Sequence, residues 1–273
     1  MPRDRFGRLL KSAYQHTLVS RRLAGLHTFL FRVAACGLGL LNYEDSFVSG
    51  EDHLIRWVLP KIVRRPVSVF LDVGANAGRF STALADQFPQ ATIHAFEPHP
   101  ENAERLRHLG LPGLRVHPVA LGAAGGRALL YDRADRSGSQ HASLHREVIS
   151  KLHRQSVVGI EVVLTTLDAW ASENGISHID FMKLDVEGSE LDVLRGSAEL
   201  LKGGAIDILL FEFNEMNTIS RCFLGDFQST LVDFSLYRLL PRGMLPLPES
   251  TLLRELFAYQ NILAVRSTEG WPS

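Results

Sequence analysis

The stretch that most constrains this chain is residues 67–78, VSVFLDVGANAG. Residues 67–73 make a short apolar, β-branched run, long enough for a buried strand and too short for a helix. The run breaks into Gly74-Ala75-Asn76-Ala77-Gly78, after which Phe80, Ala83, Leu84 and Phe88 recur at helical spacing. A strand, a tight glycine turn and a helix N-terminus together make a place where bare backbone can approach a ligand. About twenty residues on, Glu97 closes the next apolar run at 91–96, the position from which an acid holds a ribose. The dinucleotide spacing G-x-G-x-x-G is not met, because Asn76 and Arg79 stand at its second and third glycine positions.

An acid, Asp72, ends the strand before the turn. A carboxylate there repels a pyrophosphate and suits a cationic ligand. The loop D-x-G-x-N-x-G resembles motif I of the class I S-adenosylmethionine-dependent methyltransferases, E/D-x-G-x-G-x-G, with Asn76 replacing the middle glycine. S-adenosylmethionine carries an aminium, a sulfonium and a ribose, so it is the expected cofactor. On that resemblance Asp72, Gly74, Asn76, Gly78, Glu97 and Pro98 bind cofactor, with Ala120 and Leu121 beside the adenine. The bland alternative is an ordinary strand–helix turn with a surface acid nearby.

A chain of 273 residues can bury a full core. With 22 % charged residues it reads as a soluble globular protein rather than a disordered one. A net charge of −1 gives no argument for nucleic acid as a partner. Cys36 and Cys222 lie far apart, in no metal-ligand spacing, and fit a reducing compartment; the expected location is cytoplasmic. Residues 1–40 are basic, with Arg3, Arg5, Arg8, Lys11, Arg21, Arg22 and Arg32 against Asp4 alone. Arg32, His27 and three glycines interrupt the apolar run at 23–41, which argues against a membrane span. No small-residue cleavage site follows a clean apolar stretch, so a signal peptide fits badly. The expected division is a helical extension at 1–60, with a pair of helices capping the domain at 61–273. A peripheral contact of the basic segment with an anionic membrane or a lipid-linked substrate is the sharper alternative.

Residues 43–59 lead from a Ser/Gly turn into a helix that Ser49 or Asp52 could cap, with Pro60 near its end. Glu51 lies where methyltransferases place a lid over the methionine end of the cofactor, although capping is its plainer role. Pro66 sets the entry to the first strand. Further strands are expected at 114–120, 127–131, 157–164, 179–184, 206–213, 236–240 and 261–265. Helices are expected at 100–109 and 167–171, after Ser189, and at 227–232. This order predicts an α/β fold, a doubly wound, mostly parallel, seven-stranded Rossmann-like sheet with ligands at the carboxyl ends of its strands. Residues 132–156 are the least regular, rich in Ser, His and Arg; Ser137, Ser139, His141, Ser143 and His145 could line an acceptor, and either His could act as a base.

Acids also end the later strands: Asp185 and Glu187 follow 179–184, while Glu212 and Asn214 close 206–213. Several acids on one sheet edge are better explained by a polar site than by capping. Asp185, Glu187 and Glu212 are the candidate catalytic residues. One mechanism has an acid or a His remove a hydroxyl proton. In the other, Asp185, Glu212 and Asn214 bind a divalent cation such as Mg²⁺ that lowers the hydroxyl pKa. The spacing leaves metal dependence undecided, and Lys183 could instead pair with one of the acids.

DVGANAG, FEPHP, VALG at 119–122, TLDAW at 166–170, KLDVEGSE at 183–190, FEFNEMN at 211–217 and QNILAV near the end together resemble the FkbM-type methyltransferases. The similarity covers about residues 67–266 in order, and the pairing of DVGANAG with DVEG is its most specific part. It implies O-methylation from S-adenosylmethionine, with a small-molecule or glycan acceptor: a sugar hydroxyl or a polyketide-type product. Residues 132–156 depart from the family's more compact serine-rich stretch, and the first 60 residues carry none of its motifs. The rival readings are a nucleotide-binding module without catalysis and a nicotinamide-dependent oxidoreductase, the latter disfavoured by Asp72.

Overall fold

The computed structural model describes residues 3–63, 65, 67–135 and 137–267, without the side chains of 3–6; Pro66 lies outside these residues. Among them the strands are β1 (Val69–Val73), β2 (Thr92–Phe96), β3 (Leu114–His117), β4 (Ala120–Leu121), β5 (Gly126–Arg133) and β6 (Val157–Thr165). They continue with β7 (Ile179–Leu184), β8 (Ile206–Phe213), β9 (Phe234–Leu240), β10 (Gly243–Pro246) and β11 (Gln260–Arg266). The main sheet has the order β10-β9-β11-β8-β7-β1-β2-β3. Its half from β3 to β8 is parallel, whereas β11 runs antiparallel between β8 and β9.

The sheet has eight strands where seven were expected. The added strand is β10, which folds back antiparallel on β9 from the Pro/Gly-rich stretch after residue 240 and lies on the sheet edge, where prolines are tolerated. The run 114–120 is not one strand. Pro118, which has no N–H to give a ladder, separates β3 from β4, and β4 joins β6 and β5 in a second, three-stranded sheet.

Side chains alternate across β1, so each face meets its own layer. Phe70 packs with Leu54, Ile55, Leu59, Phe80 and Phe181 on one face. Leu71 and Val73 pack with Leu167, Trp170, Leu191, Leu194 and Phe227 on the other. Both faces of the parallel half are therefore covered, as its unbroken apolar strands require. The helix at 51–62 continues through Pro60 because its middle turn, Leu54–Val58, has π geometry, which relaxes the ladder just ahead of the proline. The boundary expected at residues 60–61 crosses this helix.

The helices Arg3–Thr17 and Ala24–Gly37 touch through Tyr14 and His27, whose rings lie 5.5 Å apart. They leave most of their apolar side chains exposed, so they do not cap the domain in the expected sense. Among the described residues no helix is long and apolar enough to cross a membrane.

Candidate active site

The order of strands reverses at β1, between β7 and β2, which opens a crevice at their carboxyl ends. The two loops there are fitted to each other. Gly74 has φ +84°, and a Cβ on it would stand 1.8 Å from the Asp185 carbonyl oxygen. The Asp185 N–H donates to the Val73 carbonyl at 2.9 Å, continuing the ladder past the strand ends. The association of DVGANAG with DVEG is therefore a steric one. Gly78, at the start of the helix Arg79–Gln87, is likewise tight against Leu106 and Leu109.

These loops frame a cleft of about 570 Å³, its open mouth included. Val119, Ala120, Leu121, Leu130, Ala142 and Leu144 give it an apolar wall. Gly74, Asn76, Glu97, Pro98, Ser139, Asp185 and Glu187 give it a polar one. Glu97 accepts the Asn76 and His99 backbone N–H groups, both at 2.8 Å. Burial nevertheless pushes its carboxyl up to about 7. Each oxygen keeps a lone pair for a further donor.

Behind the cleft lies a cluster of acids around one buried cation. Lys183 Nζ donates to Asp185 Oδ2 at 2.7 Å and lies 3.9 Å from Glu51 Oε1. Burial alone would lower this ammonium, but Asp185, Glu51, Asp72 and Glu212 hold it above its usual value. Burial raises Asp72, Glu51, Glu187 and Glu212 above the ordinary carboxylate range, and neighbouring acids add to each shift. Glu190 accepts the Val186 and Gly188 N–H groups, both at 3.1 Å on Oε1, and is pushed by burial up to about 7. That bond pair, rather than a Ser189 cap, shapes the DVEG turn, since the Ser189 hydroxyl makes no capping bond.

The irregular stretch after β5 is pinned across the cleft. Fully buried Asp132 accepts the N–H groups of Gly138 (2.8 Å) and Ser139 (3.1 Å), together with the Ser139 hydroxyl. The Asn76 side-chain amide donates to the Ser139 carbonyl at 3.2 Å, and the Ser143 hydroxyl donates to the Glu187 carbonyl at 2.8 Å. His141 Nδ1 then stands 3.2 Å from Glu187 Oε1, its ring stacked on His153 at 4.3 Å. Burial lowers the His141 pKa below the ordinary histidine 6.5, with Asp185 acting in the opposite sense.

Of the expected cofactor residues, Gly74, Asn76, Glu97, Pro98, Ala120 and Leu121 line the cleft, and so do Asp185 and Glu187 of the catalytic set. Asp72, Gly78 and Glu212 do not. Asp72 is fully buried and accepts the Ser81 hydroxyl at 2.6 Å, tying the strand end to the following helix. Glu212 accepts from the Asn214 side-chain amide at 3.2 Å. The trio Asp185, Glu212 and Asn214 does not fit a cation site, because Lys183 engages Asp185 and the Asn214 side-chain oxygen accepts the Met216 N–H at 2.9 Å. Among the described residues, the set whose ligand atoms do gather is His178, Asp180 and Asp207, at the opposite ends of β7 and β8. Of the loop residues, Ser139 lines the cleft, while the Ser137 hydroxyl turns to Glu101 at 2.8 Å.

Sequence reasoning missed three groups. Asp132 could have been found as an acid followed by a Ser/Gly turn, the pattern of an Asx anchor. Glu190 is visible as an acid two residues after the glycine of DVEG. Tyr259, whose hydroxyl is raised first by burial and then by Glu212, carries no local signal.

The Methyltransferase FkbM domain family matches residues 72–230. The chain is 30 % identical over 151 residues to the 2-O-methyltransferase NoeI of Sinorhizobium fredii, covering 51 % of this chain and 61 % of that one. It is 31 % identical over 160 residues to the 31-O-demethyl-FK506 methyltransferase FkbM of Streptomyces tacrolimicus, covering 48 % and 60 %. It is 27 % identical over 156 residues to the hexuronic acid methyltransferase AglP of Haloferax volcanii, covering 56 % and 59 %. The chain thus spans about three fifths of the length of these curated relatives. With the matched domain taking up more than half of its residues, and with both loops of the cleft inside it, this protein belongs to the FkbM methyltransferase family.

Proposed function

We propose that this protein transfers a methyl group from S-adenosylmethionine to an acceptor hydroxyl, on a sugar of a glycan or on a polyketide-type product, in the cytoplasm. The observation that carries the reading is the pairing in one cleft of an apolar wall with the buried Glu97 and the partly exposed acids Asp185 and Glu187. Glu187 Oε2 is buried without a partner, an orphaned acceptor that suits a cationic ligand. The residues present therefore fit this cofactor: Ala120 and Leu121 for the adenine, Glu97 for the ribose, and Asp185 with Glu187 for the positive end.

When bound, S-adenosylmethionine supplies an activated methyl carbon. Alignment of the hydroxyl with that carbon is the larger part of the task, and the pinned loop after β5 holds one wall for it. We assign the hydroxyl proton to His141, which stands beside the cleft residue Glu187 with Nδ1 3.2 Å from Oε1; in the tautomer protonated at Nδ1, its Nε2 is the base. Lys183 holds the Asp185 side chain at the cleft wall, its Nζ donating to Oδ2. Transfer of labelled methyl to a pool of candidate glycans tests the reaction, because a binding module without catalysis would transfer none. Titration of Glu97→Ala with S-adenosylmethionine tests the ribose contact. Loss of charge-assisted hydrogen bonds predicts binding weaker by about ten- to a hundredfold, and unchanged affinity would remove Glu97 from the site.

A further inference from the structure

The two N-terminal helices are the part of the molecule that the proposed reaction does not use. In the helix Ala24–Gly37, Leu26, Phe29, Leu30, Phe31 and Val33 are between 47 and 62 % exposed. Leu9 and Leu10 of the helix Arg3–Thr17 are exposed as well. Successive helical residues are turned by about 100°, so Phe29, Leu30 and Phe31 together span roughly 200° of the helix perimeter. A groove or flat face on a folded partner would cover an apolar stripe of about half that width. A medium that surrounds the helix covers all of it.

Charge points to the same medium. Lys11, Arg21, Arg22 and Arg32 lie on this pair of helices or on the turn between them, in a segment where Asp4 is the one acid among the first 40 residues. The 14 residues of the second helix extend about 21 Å, short of the roughly 30 Å of hydrocarbon in a bilayer. We propose that the helices Arg3–Thr17 and Ala24–Gly37 dock this protein onto an anionic lipid bilayer, lying in the interface with their phenylalanines and leucines inserted and their basic side chains at the headgroups.

Co-sedimentation of the full chain with vesicles tests this, using phosphatidylcholine alone and phosphatidylcholine with one third phosphatidylglycerol. The chain is expected to bind the anionic vesicles and to leave them as salt is raised. Arg21→Gln/Arg22→Gln should weaken binding about thirtyfold, from the usual contribution of each basic residue near a charged surface. Phe29→Ser/Phe31→Ser should abolish it, and because these rings are exposed the circular dichroism and S-adenosylmethionine titration should not change. Three results would overturn the proposal: no binding to anionic vesicles, binding that is indifferent to both variants, or a self-associated chain in sedimentation velocity that the phenylalanine variant dissociates while vesicles go unbound. The last would assign the same face to a second copy.

Discussion

Glu190 is an acid kept in the core for its shape, and replacing it with glutamine should separate the shape from the charge. Its Oε1 accepts both backbone N–H groups that form the DVEG turn, while Oε2 is buried without a partner. The carboxyl is raised from 4.5 to about 7 in the fold. Between those two values the folded chain retains a proton that the unfolded chain has released, so stability falls as pH rises through that window. The span of about 2.5 units corresponds to about 3 kcal/mol, complete above pH 7 and absent below 4.5. Glu190→Gln keeps an acceptor where Oε1 stands and removes the ionisation, at the cost of a buried amide with no acceptor of its own. Urea unfolding of both proteins at pH 5 and pH 8 should show near-equality at the lower pH, and a variant more stable by about 2–3 kcal/mol at the higher. A difference that does not change with pH would refute the reasoning, because it would mean the charge plays no part.

Three further outcomes follow from the cleft. Gly74→Ala should destabilise the chain by more than about 3 kcal/mol and abolish S-adenosylmethionine binding in calorimetry, since the methyl collides with backbone at a positive φ. Lys183→Met should cost about 3–5 kcal/mol at pH 7 by denaturant titration, with the deficit shrinking at low pH as Glu51 and Glu212, both raised by burial, take up protons. In a pH–rate profile, kcat/KM should rise with pH through a value below the ordinary histidine 6.5, and His141→Gln should remove that limb and lower kcat about 10²- to 10⁴-fold with little change in cofactor affinity.

The parallel half of the sheet was readable because its strands are continuous apolar runs with acids at their ends; the runs at 179–184 and 206–213 match β7 and β8 residue for residue. What the sequence concealed was how far each acid stands from solvent. Asp72, Asp185 and Glu212 look alike as strand-end carboxylates, yet one is sealed under Ser81, one lines the cleft beside Lys183, and one lies behind it. Part of that difference comes from Tyr259, which meets Glu212 from far along the chain. The stretch after residue 132 lacked any apolar period because much of its order comes from polar anchors, the buried Asp132 and the bonds to Asn76 and Glu187, to which the periodicity of side chains is blind.

The contact between Gly74 and the Asp185 carbonyl also governs how this scaffold could be rebuilt. Because the two loops occupy complementary halves of one small volume, neither is a separate module. A loop graft that brings in the glycine turn of another methyltransferase, or lengthens DVEG by a residue to widen the cleft, would find its partner already in the way. Recombination between such enzymes would have to carry both segments from the same parent, although more than a hundred residues of chain lie between them.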